Sequence, residues 1–254
     1  MTGKRIAENV VTPIVGLAAF IGIWYTLAAP IGKEIILPTP GETLRDFFRL
    51  LSHRFFYGAI GRTLLRTILS FLIAFSLASI FAFLSKICPF FRKAFAPFTI
   101  LLRVLPTISV ILLVLIWFKS ATAPFVITFL VIFPMLYKTV TDAADGVDPN
   151  LIEMGRSYGF SPSKLLFRIY VPQMTPALLT GIGITLSFSV KLTVAAEVLA
   201  YTKDSMGRYM QQSAAYIETA TLLAWTLAAV LLGFLLEGIL YLIKRSLTRW
   251  FYGK

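Results

Sequence analysis

The side chains most often used for catalysis or metal binding are scarce in this chain. His53 is the only histidine and Cys88 the only cysteine. A zinc-type site therefore has too few ligands, and a single cysteine excludes an intrachain disulfide. No GxxxxGK[ST] pattern is present, so the sequence contains no P-loop for a nucleotide. We find no clustered nucleophile, acid–base pair or metal set, which argues against a membrane enzyme.

The chemistry that remains is that of charges inside apolar stretches. Arg66, Arg103 and Glu237 fall close to the ends of such stretches. Snorkelling of the side chain towards the interface is the simpler interpretation for the two arginines. A charge deeper in a membrane usually faces a cavity or a partner.

Lys191 lies deeper, about sixteen residues into an apolar stretch that also contains Ser187. Two interpretations stay open: Lys191 attracts an anion along a transport path, or it lies close to the lipid headgroups. Glu197 follows six residues later and does not share a helix face with Lys191. The candidate pathway residues are Lys191, Ser187, Glu197 and Arg103.

The elements that position these residues are predicted to be membrane-spanning helices. Hydrophobic residues make up 57% of the 254 residues and charged residues 14%, against about 25% charged in soluble domains. A span needs about 20 mostly apolar residues and must be helical, so that its backbone is hydrogen-bonded internally. The six apolar segments cover about 10–30, 63–85, 98–118, 121–138, 175–200 and 219–243. The sequence therefore predicts an all-α integral membrane protein with six spans in one domain, 1–254.

The positive charges support this interpretation over a nucleic-acid-binding surface. The formal net charge is +12, and most lysines and arginines flank the apolar segments, as they do at the ends of membrane helices. The first segment follows Lys4 and Arg5 and resembles a signal peptide, but it is longer than the usual apolar region of one. We interpret it as a retained first span. The distribution of basic residues predicts that both termini are cytoplasmic.

A polar loop follows the first span. It begins with the turn residues 38–41, and Leu44, Phe47, Phe48 and Leu51 recur there at helical spacing. Charged residues occupy the other side, which predicts an interfacial helix.

The most structured polar segment lies between spans four and five. We call residues 148–172, DPNLIEMGRSYGFSPSKLLFRIYVP, the capped insert. Asp148-Pro149 predicts a helix start, and Gly159 suits the left-handed position after a helix end near Tyr158. Ser161-Pro162 predicts a second helix over about 162–170 that stops before Pro172. Two functions remain open: a pair of interfacial helices, or a rigid knob that docks onto another protein.

The capped insert resembles the EAA loop of ABC-transporter permeases. The pattern is carried by Glu153, by Gly159 six positions later and by Val171-Pro172, while Met154 and Gly155 replace the two alanines. The segments LPTPGETL, LLRVLPTISVILLVLIWF and VAAEVLA also look like permeases of nitrate, sulfonate and taurine importers. The resemblance extends over nearly the whole chain, with a permease core of about 60–245 and the coupling loop at about 142–174.

The resemblance implies a type I importer permease of MetI-like architecture in a bacterial inner membrane. It implies a homodimer, a cytoplasmic ABC ATPase dimer that binds the EAA loop, and an external binding protein that delivers a small anion. ATP and magnesium would be bound by the ATPase, and this chain would carry no cofactor. The coupling residues carried over are Glu153, Met154, Gly155, Gly159, Val171 and Pro172.

Other functions remain alternatives. A stand-alone secondary transporter or channel would normally place more ionisable residues in mid-membrane, and no 3+3 internal repeat is visible. An ABC permease for a thiamine- or riboflavin-related compound is a further alternative.

Overall fold

A computed structural model describes residues 3–252, with side chains for residues 11–246. Every regular element in that range is helical. In chain order the helices are α1 (Gly3–Ile31), α2 (Pro40–Leu51), α3 (Arg54–Ile87), α4 (Pro89–Val104), α5 (Thr107–Trp117), α6 (Ala123–Asp145), α7 (Pro149–Ser157), α8 (Pro162–Leu165), a π-helical segment (Leu166–Tyr170), α9 (Val171–Ala200), α10 (Met206–Ala215) and α11 (Thr219–Tyr252). Among the described residues, five helical stretches are long and apolar enough to span a membrane, or six if one bent pair counts as a span.

The third predicted span, 98–118, is not one helix. The chain runs instead as α4 and α5, which meet at an angle of 96°. The break falls at Leu105 and Pro106, because the proline ring cannot continue the preceding helix. Pro106 therefore marks a full break between the two helices.

Contacts at the two ends of the bent pair place those ends on opposite sides of the helix bundle. Near the start of α4, Arg92 contacts Asp145, the last residue of α6, at 2.6 Å. Beyond the end of α5, the Ser120 carbonyl accepts from the Thr202 hydroxyl at 2.7 Å, next to the end of α9. The first contact lies beside the capped insert, on what we call the insert side, and the second lies on the opposite side. Counted as one span, the bent pair brings the number of candidate spans in the described chain to six.

The core is formed where α3, α6 and α9 pack against one another. Ala74, Ala78 and Ala82 recur every four residues on α3 and are almost completely buried. Such small residues let helix backbones approach closely, which is how helices associate in lipid. Between α6 and α9 the hydroxyls of Thr128 and Thr193 lie 2.9 Å apart, so buried polar groups also join these helices.

Close packing also explains a glycine in α9. A Cβ added at Gly181 would overlap the side chain of Thr139 on α6. Gly181 is therefore a helix-packing residue between α6 and α9.

The helix predicted after the first span is α2, and it lies against α11. Thr39 and Glu42 form a capping box, with the Thr39 N–H donating to Glu42 at 2.6 Å. Hydrogen bonds from the Thr39 backbone and side chain hold the pKa of Glu42 below its ordinary value. Leu50 is buried while Leu44 and Phe48 are exposed, so the buried face is narrower than the predicted one. Asp46 accepts from Thr221 on α11 at 2.7 Å, fixing α2 on the opposite side.

Candidate functional site

The capped insert begins with the predicted cap. Asp148 accepts a hydrogen bond from the Asn150 N–H at 2.9 Å, and Pro149 is the first residue of α7. The Asp148 N–H in turn donates to Gln173 at 3.0 Å, on the first turn of α9. The start of the insert is therefore fixed to the fifth span.

Gly159 ends α7 in the left-handed conformation, with φ of +69°. Its N–H donates to the Arg156 carbonyl at 2.9 Å, and the Phe160 N–H donates to the Gly155 carbonyl at 2.9 Å. This pair of bonds is the Schellman arrangement, which favours glycine at this position. The turn predicted from the sequence is thus confirmed at Gly159.

Gly155 lies where the two helical arms of the insert touch. A Cβ there would lie 2.6 Å from Cδ2 of Leu165 and 2.7 Å from Cδ1 of Ile169. Leu165 and Ile169 thus occupy the space that a side chain at 155 would need. This packing is a physical reason why Gly155 stands where the EAA pattern has alanine.

The expected stop before Pro172 is wrong. Helix α8 continues through the π-helical segment into α9 without interruption, as one long helical stretch over Pro162–Ala200. The Val171 N–H donates to the Leu166 carbonyl, five residues back. The wider π turn accommodates Pro172, which has no N–H and would clash in a regular α-helix. The second arm of the insert and the fifth span are therefore parts of one continuous helix.

The outer surface of the insert is apolar and exposed. The exposed fractions are 47% for Met154, 76% for Tyr158 and 67% for Phe167. Glu153 is also exposed, and Lys164 lies over the ring of Phe160 at 4.6 Å. Met154 and Tyr158 lie on α7, outside the candidate spans, where large exposed apolar side chains are typical of a protein–protein interface.

Of the candidate pathway residues, Lys191 lies on an exposed stripe of α9. The residues of this stripe, which recur every three or four positions, are Ile184, Phe188, Lys191, Ala195 and Leu199. Ser187 donates to Glu237 on α11 at 2.5 Å. Glu237 thus lies within a span, Thr219–Ser246, and has a partner on α9.

Glu197 is fully buried, unlike Lys191. It accepts hydrogen bonds from Thr63 at 2.8 Å, from Arg66 at 2.9 Å and from the Gly207 N–H at 3.2 Å. The carboxylate therefore joins α3, α9 and the start of α10, and no part of it faces a path in this conformation. We call Thr63, Arg66, Glu197 and Gly207 the buried charge cluster. Arg66 pairs with Glu197 and does not snorkel, which corrects our simpler interpretation.

Sequence reasoning missed Thr63, Gly207 and the helix α10 of the fifth loop. A Cβ at Gly207 would lie 2.6 Å from the Val194 carbonyl, so only glycine permits this close approach to α9. The available signals were the opposite charges of Arg66 and Glu197 in neighbouring spans, and Ser205 as a cap for α10.

The family follows from a comparison with models of known protein families. Residues 71–249 match the "Binding-protein-dependent transport system inner membrane component". The chain belongs to this family. It is thus a multi-pass permease of a bacterial-type inner membrane, and the predicted family and fold class are confirmed.

Individual relatives agree over most of the permease. A probable ABC transporter permease protein of Brucella melitensis is 27% identical over 238 residues, 93% of this chain and 96% of the relative. The taurine transport system permease protein of Escherichia coli is 25% identical, covering 96% and 91% of the two chains. The nitrate import permease protein of a Synechocystis strain is 26% identical, covering 76% and 73%.

Solved structures confirm the fold. A permease chain of a bacterial ABC transporter involved in import of the acidic polysaccharide alginate aligns with a TM-score of 0.65 at 19% identity, covering 96% of this chain and 98% of that one. A chain of an inward-facing MetNI methionine ABC transporter aligns with a TM-score of 0.64 at 19% identity, covering 75% and 95%.

Proposed function

We propose that this permease forms, with a second copy of itself, the translocation path of an ATP-driven importer for a small anion. ATP is hydrolysed by a separate cytoplasmic ATPase dimer, and a binding protein delivers the solute on the opposite side. The observation that carries this proposal is the capped insert, a rigid two-armed element with an exposed apolar surface in a chain of this family.

The insert is assigned the coupling role. Glu153, Met154 and Tyr158 offer an exposed carboxylate and apolar contacts to a groove on the ATPase. Gly155 and Gly159 hold the two arms of the insert at a fixed angle. The continuous helix through Val171 and Pro172 then transmits movement of the insert to the fifth span.

We assign the contact with the second copy, and the path between the two copies, to the exposed stripe of α9. A lysine on a span surface is costly in lipid, and a water-filled path between two copies removes that cost for Lys191. Ser187 and Arg103 are the other side chains we assign to this path. Two cations per chain along the path favour a solute with an anionic group, such as nitrate or the sulfonate of taurine, the compounds for which two relatives are named.

The test is reconstitution of the purified permease with its co-expressed ATPase and binding protein in proteoliposomes. We expect the tagged permease to retain the ATPase through purification. We also expect uptake of radiolabelled taurine or nitrate to require ATP on the side of the membrane where the ATPase is bound. An ionophore that dissipates the proton gradient should leave uptake unchanged. If no ATPase is retained and uptake follows the proton gradient without ATP, the proposal is wrong.

A further inference from the structure

A cavity of about 140 Å³ lies between α4 and α6 on the insert side. One wall is a helical stripe of α4 that includes Arg92, Thr99 and Arg103, and the other is a stripe of α6 that includes Lys138, Thr141 and Asp142. The volume is far above the roughly 10–15 Å³ that admits a single water molecule.

Four cations lie around this cavity against two carboxylates, and Arg103 is the cation that contacts neither carboxylate. Lys138 donates to both carboxylate oxygens of Asp142 at 2.8 Å. Arg92 and Lys86 both contact Asp145, at 2.6 and 3.1 Å. Among the described side chains, residues 11–246, we find by contrast no hydrogen bond or ion pair for Arg103. The two acidic residues are therefore already neutralised, and the guanidinium of Arg103 faces the cavity unpaired.

Arg103 lies far from the insert-side ends of the helices, where an unpaired charge is costly. It lines the cavity together with Pro134 of α6, and Pro134 lies about 16 Å from the end of α6 at 1.5 Å per residue. An arginine at that depth needs water or an anion. Arg103 also lines a second cavity of about 250 Å³, which includes Met135 of α6 and Phe188 of α9. The guanidinium thus lies between a cavity on the insert side and one beside the exposed stripe of α9.

We propose that the cavity between α4 and α6 is a binding site for one tetrahedral oxyanion, a sulfonate, sulfate or phosphate group, with Arg103 as its main ligand. The planar guanidinium binds two oxygens of such a group at once. The hydroxyls of Thr99 and Thr141 now donate to backbone carbonyls at 2.9 Å, and each can rotate to donate to the anion. The oxyanion is either a free solute or the phosphate of a lipid headgroup, and the depth of Arg103 favours the free solute.

The test uses the purified full chain in a maltoside detergent, which contains no phosphate. Binding of radiolabelled sulfate is measured by equilibrium dialysis, with chloride keeping the ionic strength constant. We expect saturable binding that Arg103→Gln weakens about tenfold or more, since hydrogen bonds to charged groups are strong. Arg103→Lys keeps the positive charge but not the planar guanidinium that binds two oxygens, and it should give an intermediate affinity. Lys93→Gln is the matched control, because Lys93 lies on α4 but does not line the cavity.

A second arm separates the two sources of the oxyanion. Native mass spectrometry counts phosphatidylglycerol molecules retained by the wild type and by Arg103→Gln. Sulfate binding without an Arg103-dependent lipid assigns the site to a free anion. An Arg103-dependent lipid that sulfate displaces assigns it to a headgroup phosphate. The proposal is overturned if the wild type shows neither saturable sulfate binding nor an Arg103-dependent lipid. It is also overturned if Lys93→Gln lowers the affinity for sulfate as much as Arg103→Gln does. The binding assay contains no ATPase and measures no transport, so neither of its results decides whether the permease is part of an ATP-driven importer.

Discussion

At the scale of single residues, the charges inside the spans differ in what surrounds them. Glu197 is fully buried and Arg66 lies beside it, with a side-chain exposure of 19%. Lys191 and Arg103 are exposed on the single chain. The first two charges therefore neutralise each other inside the protein, while the other two remain available to a solute or a second copy.

Removing Arg66 should be costly, because it leaves a buried carboxylate without its counter-charge. Arg66→Met is expected to lower the free energy of unfolding in mixed micelles by about 3–5 kcal/mol. Arg66→Met combined with Glu197→Gln should recover much of that loss, because no buried charge then remains and the glutamine oxygen can still accept from Thr63 and Gly207.

The control for this prediction lies one turn away on α3. Arg62 pairs with Asp204 at 2.7 Å, but both side chains are more than half exposed. Arg62→Met should therefore cost at most about 1 kcal/mol. Equal losses for Arg62→Met and Arg66→Met would show that the buried charge cluster adds no stability.

The sequence shows which charged residues fall inside the apolar segments, but their partners could not be predicted from it. The separation of Lys191 from Glu197 on the helix surface followed from their spacing of six residues. The pairing of Glu197 with Arg66 did not, since it joins positions 131 residues apart and depends on how three helices pack. In the sequence, Arg66 lies near the end of an apolar segment, and a snorkelling arginine would lie in the same kind of position.

At the scale of elements, the capped insert is the best-predicted part of the chain. Its caps at Asp148 and Ser161 and its turn at Gly159 are local, and short-range sequence determines them. The π-helical segment and the break at Pro106 are less predictable. A proline disturbs a helix in either case, but whether the helix widens or breaks depends on tertiary packing.

The contact between the two arms of the insert makes a specific prediction at Gly155. Gly155→Ala should overpack the site by about 1–3 kcal/mol, because its Cβ meets Leu165 and Ile169. Amide hydrogen exchange over residues 149–170 should become faster. Adding Ile169→Val removes one of the two clashing methyl groups and should restore part of the protection.

Gly61→Ala is the control for this substitution, since no atom lies within 4 Å of a Cβ at Gly61 on α3. Alanine there should leave exchange unchanged or slightly slower, because glycine is the poorer helix former. If Gly155→Ala exchanges as slowly as wild type, the two arms are not packed as described.

At the scale of the whole molecule, the two sides of the helix bundle carry different functional surfaces. The insert side carries the exposed apolar surface of the insert and the cavity at Arg103. The opposite side carries α2, α10 and the buried charge cluster, which fix the outer ends of the spans. Hydropathy predicted six spans, and the described chain has five long apolar helices and one bent pair that makes the sixth if it counts as a span. It could not predict which faces stay exposed, because that depends on packing between spans.

The central claim is that the capped insert couples the permease to an ATPase, and Gly159→Val tests it most directly. The substitution places a β-branched side chain at φ of +69°, at a cost of about 1–2 kcal/mol or more. Gly32→Val is the matched control, because Gly32 has φ of +61° but lies between α1 and α2 on the opposite side. The measurement is ATP-dependent uptake by the reconstituted complex. We predict at least a tenfold loss for Gly159→Val, through failed assembly with the ATPase or uncoupled hydrolysis, and near-normal uptake for Gly32→Val. A Gly159→Val permease that assembles and transports like wild type would contradict the account.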